Sequence, residues 1–190
     1  MNSLFTTTAY AILELFIQYP TKNYSVREIA RAINKSHATV IPHIKSLHEL
    51  GFISQNTQTL YPTYHASDSS ELRLYKTTWI KHKILSSKLI EEIKKHYPST
   101  IILFGSCAKG TFTQDSDIDL FVQAKPMKLS LTPYEEYLGK KINLLFESNP
   151  ENLTQELRNN IINGVLLYGY LRLDELQDLP RTRNTTKSPS

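Results

Sequence analysis

The chain has 190 residues, a formal net charge of +4 and 40% hydrophobic residues. This suits one large or two small globular domains and excludes fibrous and low-complexity classes. The single cysteine, Cys107, excludes an internal disulfide. The apolar stretch 9–17 is interrupted by Glu14, has no Lys or Arg before it and is too short to span a bilayer, so a cytoplasmic protein without signal peptide or membrane contact is expected.

In chain order, Ala9, Leu13 and Phe16, with Ile12 and Ile17 beside them, mark an amphipathic helix that Pro20 ends. Ser25 and Glu28 form a capping-box pattern for a helix reaching Ile33. The link 34–36 leads to a third helix with Val40, Ile44 and Leu47 on its buried face and Gly51 as its stop. Phe52-Ile53 and Leu60-Tyr61 flank a polar turn containing Asn56, a predicted β-hairpin.

This order, carried by the words Ser25-Val26-Arg27-Glu28-Ile29-Ala30 and Val40 to Ile53, resembles the winged helix-turn-helix domain of microbial transcription regulators. The resemblance covers residues 5–66. It implies that the third helix enters the major groove of double-stranded DNA. His37, Thr39, His43 and Lys45 are its outward candidates, with Arg27, Arg31 and Lys35 available for phosphates. Two features oppose that use. Pro42 removes a backbone donor inside the third helix, at a cost of roughly 3 kcal/mol, so the helix is expected to kink there or to start later. No Lys or Arg lies between Lys45 and Arg73, so the hairpin lacks the cations that usually dominate DNA affinity. Dimerisation, giving a homodimer, or docking of a partner is the alternative use.

Residues 67–98 are expected to form a linking helix, with Leu72, Ile80, Ile84, Leu85, Leu89 and Ile93 apolar and Lys76, Lys81, Lys83, Lys88, Lys94 and Lys95 on a polar side. Basic side chains outnumber acidic ones before residue 99, and the sign reverses over 99–175. That pattern suits a metal site joined to a module that meets nucleic acid.

The chemistry concentrates in Gly105-Ser106 after the predicted strand Thr100 to Phe104, and in Asp117-Ile118-Asp119 at the start of a second strand. Carboxylates at i and i+2 of an extended segment share one face, where they repel unless a hard cation lies between them. A Gly-Ser turn after a strand offers backbone N–H groups to a phosphate. Together the two halves resemble the minimal nucleotidyltransferases of the DNA polymerase β superfamily, over roughly 99–170. The resemblance implies an α+β fold with a mixed sheet. It gives Gly105 and Ser106 a role at the β- and γ-phosphates and Asp117 and Asp119 a role as Mg²⁺ ligands. Lys109 is then either a charge beside the triphosphate or a solvated surface lysine, and Asp115 reads as a turn residue. Such enzymes carry a third carboxylate on the next strand, and Asn143 occupies the aligned position here. Glu147 lies four residues on, roughly 13 Å away at about 3.3 Å per residue.

A helix over 133–138, a strand over 141–146, a helix over 152–163 and an apolar run over 165–168 follow. The nucleotidyltransferase domain is expected to end near residue 175, and the tail 176–190 reads as disordered. The resemblance implies ATP or another NTP as substrate. It also implies an antitoxin-like transfer of AMP to a partner protein of the HEPN type. The second reading is a DNA-binding regulator whose nucleotidyltransferase domain binds nucleotide without efficient transfer.

Overall fold

The computed structural model describes residues 7–57 and 61–170. Leu60 and the tail 176–190 therefore lie outside the described residues.

Helix α1 (Thr8–Gln18) starts on the hydroxyl of Thr7, which accepts from the Tyr10 N–H, and buries Ile12, Leu13, Phe16 and Ile17. The short strand β1 (Tyr24–Ser25) leads into α2 (Val26–Ala32). The capping box forms as the spacing implies: the Ser25 hydroxyl accepts from the Glu28 N–H, and the Glu28 carboxylate accepts from the Ser25 N–H at 2.8 Å. Helix α3 (His37–Glu49) is capped by Ser36 and buries Val40, Ile44 and Leu47. It does not start later than expected, because Pro42 lies within it. Both Pro42 and Ala38, whose carbonyl loses its amide partner to the proline, are exposed to water.

The hairpin pairs β2 (Ile53–Asn56) with β3 (Thr63–Ala66), and β1 adds to the other side of β3. Its second strand begins after the predicted Leu60-Tyr61. Pro62 has no amide to give the ladder, and pairing starts at the residue that follows it.

The linking segment is two helices, α4 (Ser70–Ser86) and α5 (Leu89–Lys94), separated at Lys88 by a left-handed φ of 69°. Two side chains depart from the expected pattern. Lys76 is buried and Leu85 is exposed.

Strands β4 (Thr100–Phe104), β5 (Ile118–Gln123), β6 (Ile142–Phe146) and β7 (Val165–Gly169) form a mixed sheet in the order β6-β5-β4-β7. β4 is antiparallel to β5 and β7, and β5 is parallel to β6. Between them lie the single turn α6 (Gly105–Lys109), α7 (Thr132–Leu138) and α8 (Gln155–Ile162), the last shorter than expected because a 3₁₀ turn takes up Pro150–Asn152.

Alternation sends the side chains of each strand to opposite faces. Ile101, Leu103, Leu120 and Val122 join one continuous core with α4, α5 and the helices of the N-terminal module. Ile102 and Phe121 pack on the other face against Ile161 of α8. Helix α4 ties the two halves together. The Trp79 indole stacks on Phe112 at 6.3 Å and donates Nε1–H to Glu14 of α1 at 3.1 Å. Gly110 lies so close to α4 that an added Cβ would sit 2.1 Å from the Arg73 carbonyl oxygen.

Candidate nucleotide and metal site

β4 leaves the sheet at Phe104, and Gly105 turns the chain with φ of 70° into α6. A Cβ at Gly105 would lie 2.6 Å from Asp119 Oδ2, so only glycine allows the turn to meet that carboxylate. The first turn of any helix leaves leading N–H groups without intrahelical carbonyls. At Gly105-Ser106 those groups therefore open beside Asp119. Ser106 is half-buried at this point.

The ladder fixes Asp119 opposite Phe104 on one side and Asn143 on the other. Asp117 stands just before β5, two residues upstream. The Asn143 amide nitrogen donates to Asp119 Oδ1 at 2.9 Å and to Asp117 Oδ2 at 3.3 Å. One NH₂ group thus bridges both carboxylates, and Gly105, Asp117, Asp119 and Asn143 converge on one spot. Among the described residues no group of three or more His, Cys, Asp or Glu side chains gathers in the manner of a metal site. The carboxylate supply at this spot is two.

Lys109 is exposed at the far end of α6, and its ammonium reaches Asn160 of α8 at 3.4 Å rather than either aspartate. Asp115 is an exposed turn residue. Glu147 is engaged elsewhere. It accepts from the Asn149 N–H at 2.9 Å and from the Asn152 amide at 3.2 Å, and these bonds hold its carboxyl below the usual range. The Cys107 thiol is fully buried, points at the Asp117 carbonyl at 3.3 Å, and is pushed up to about 11 by burial, so it packs the turn as a neutral group.

Two lysines, Lys140 and the Lys76 expected on a solvated face, hold the loop before Asp117. Lys140 Nζ donates to the carbonyls of Thr113, Gln114 and Ser116 at 2.6, 3.1 and 3.1 Å. Lys76 Nζ donates to the Phe112 carbonyl at 2.5 Å and lies 4.5 Å from the Phe112 ring centre. Burial lowers both ammonium groups, Lys76 to about 8. No local pattern marks either one, since their partners come from a distant loop.

On the N-terminal module, Arg27, Arg31, Lys35, His37, Thr39 and Lys45 are exposed and His43 is half-buried. The Thr39 hydroxyl is shared with the Ser36 hydroxyl at 2.7 Å in the cap of α3, and Lys45 lies 3.8 Å from Glu49. Ile41 is 46% exposed on the same helix, an apolar side chain among these polar ones. Among the described residues no helix is long and apolar enough to cross a membrane.

These two parts correspond to two known families. Residues 86–165 match the nucleotidyltransferase domain model, and residues 8–55 match the model described as bacterial regulatory protein, arsR family. A region similar to an ArsR-type helix-turn-helix is thus followed along the chain by one similar to a nucleotidyltransferase domain. No curated protein matches the chain in sequence.

Proposed function

We propose that this chain is a nucleotide-responsive DNA-binding regulator. In this reading its nucleotidyltransferase domain binds an NTP with Mg²⁺ and transfers the nucleotide slowly or not at all. The observation that carries it is the Asn143 amide bridging Asp117 and Asp119. The residues present fit a Mg²⁺–triphosphate. Two carboxylates converge beside a glycine turn that can accept phosphate, and Mg²⁺ commonly takes one or two carboxylates with phosphate and water oxygens completing its shell. Asp117 and Asp119 would hold the ion, which when bound neutralises triphosphate charge. The Gly105 and Ser106 N–H groups orient the phosphates, and Lys109 lies on the same turn with its charge toward α8.

Asn143 sets the limit on chemistry. An amide has no proton-accepting role near neutral pH, so it cannot take the proton of an attacking hydroxyl as a carboxylate would. It can turn its carbonyl oxygen toward a cation, which retains binding while losing the base. The N-terminal module presents Arg27, Arg31 and Lys35 to a phosphate backbone and α3 to a groove.

A second reading, adenylyl transfer from ATP to a partner protein of the HEPN type, is favoured by the intact Gly105-Ser106 and Asp117-Ile118-Asp119 words. One experiment separates the two. The full chain is incubated with labelled ATP, Mg²⁺ and the product of the neighbouring gene. ATP binding without label transfer supports the regulator. Transfer that is lost in Asp117→Asn supports the enzyme and overturns the first reading.

A further inference from the structure

We propose that Lys140 is a positioning residue that sets Asp117 for cation binding, an inference that rests on the metal–triphosphate reading above. The two carboxylates are held by different means. Asp119 is locked inside the sheet between Phe104 and Asn143. Asp117 precedes the strand and is exposed, so the ladder does not fix it.

Besides the Asn143 amide at its carboxylate and the Cys107 thiol at its carbonyl, Asp117 is held by the two residues 140 and 141 that lie between α7 and β6. The Lys140 ammonium donates to the Ser116 carbonyl at 3.1 Å, and the Lys141 carbonyl accepts from the Ile118 N–H at 2.8 Å. Neighbouring residues 140 and 141 therefore grip the chain on both sides of Asp117. The remaining Lys140 protons go to Thr113 and Gln114 carbonyls at 2.6 and 3.1 Å. An ammonium has three donors, and here they match three carbonyls.

The turn they close is also held within itself. The Thr113 N–H donates to the Ser116 hydroxyl at 2.9 Å, and the Ser116 N–H to the Thr113 carbonyl at 3.3 Å. Lys140 is half-buried over the Phe112 ring at 5.2 Å, so losing its ammonium would leave carbonyls facing one another across a partly dry turn. Lys140 is fully used by these carbonyls and acts on Asp117 through the backbone, not on the phosphates.

Groups that orient metal ligands typically change metal affinity by about 10–100-fold when removed. The test uses the full chain as wild type, Lys140→Met, Lys140→Arg and, as a control, the exposed Lys125→Met. Calorimetric ATP titrations at a series of Mg²⁺ concentrations give the half-saturating Mg²⁺ for each. Lys140→Met is expected to raise it about tenfold while leaving ATP binding in EDTA unchanged. Lys140→Arg recovers part of the loss, and Lys125→Met matches wild type. A Lys140→Met protein that melts earlier yet keeps the wild-type Mg²⁺ midpoint overturns the proposal and makes the lysine a packing element only. If Lys140→Met does not fold, Lys140→Gln replaces it with the same two outcomes. A wild type with no Mg²⁺-dependent ATP binding would instead refute the underlying metal–triphosphate reading, and this inference with it.

Discussion

Asn143 and Asp119 face each other across the parallel pair β5–β6, joined by an amide-to-carboxylate hydrogen bond of 2.9 Å. The amide gives the carboxylate a hydrogen-bond donor, although it brings no charge. It satisfies Asp117 through the same nitrogen. A cation held by both carboxylates would have to displace this donor, and the amide would have to turn its oxygen toward it.

Asn143→Asp should reverse that balance. Without Mg²⁺, three carboxylates would meet with no donor between them, and the protein is expected to lose about 1–2 kcal/mol of stability. Saturating Mg²⁺ should recover the loss, and pyrophosphate release from ATP should rise at least about tenfold through the restored base. Thermal melts with and without Mg²⁺ check the first half. Identical melting curves in both conditions would show that no cation enters this site.

Gly105→Ala puts a methyl group on Asp119 Oδ2 in a left-handed backbone conformation. A loss of about 1–2 kcal/mol is expected from the strain and the displaced carboxylate. Mg²⁺-dependent ATP binding should vanish while DNA affinity stays within a factor of a few. Calorimetry and mobility shifts on one preparation measure both. Wild-type ATP affinity in this variant would remove the Gly-Ser turn from the nucleotide site.

Lys76 gives a pH signature. Its folded value lies near 8 against an ordinary 10.5, so between those limits the unfolded chain binds more protons than the folded one. The sign follows: the burial penalty is full below pH 8 and is relieved as pH rises toward 10.5. Relative to Lys76→Met, wild type should gain on the order of 2 kcal/mol between pH 7 and pH 10. Paired urea melts at the two pH values read the difference, and a constant gap would mean that Lys76 keeps its proton throughout.

If α2 and α3 meet DNA, Arg31→Ala and Lys35→Ala should each weaken binding to the upstream DNA of the gene. Each should also reduce the slope of log affinity against log salt by about 1. Ile41→Ser should instead change sequence preference with little change in slope, as an apolar contact to a base would. Absence of any shift at low salt for wild type would leave the module as a docking or dimerisation unit.

What the sequence makes legible is local. The Ser25–Glu28 box, the stop at Gly51 and the turn at Gly105 after β4 each depend on neighbours within a few positions, and each forms as read. The Asn143 assignment rests on the family resemblance, and the register sets that residue opposite Asp119. What stays hidden depends on distant partners. Lys76 sits in a helical pattern that makes it a surface residue, yet its head finds Phe112, 36 positions away. The grip of Lys140 on the 113–116 turn has the same character. The break at Lys88 carries no glycine or proline to announce it.

The contact between Gly110 and the Arg73 backbone bears on whether the two halves can be parted. Two modules joined by a slack tether could be cut apart without loss to either. Here the turn after α6 carries no side chain and leaves no gap to α4. A cut at this joint would bare the apolar core that α4 shares with both halves.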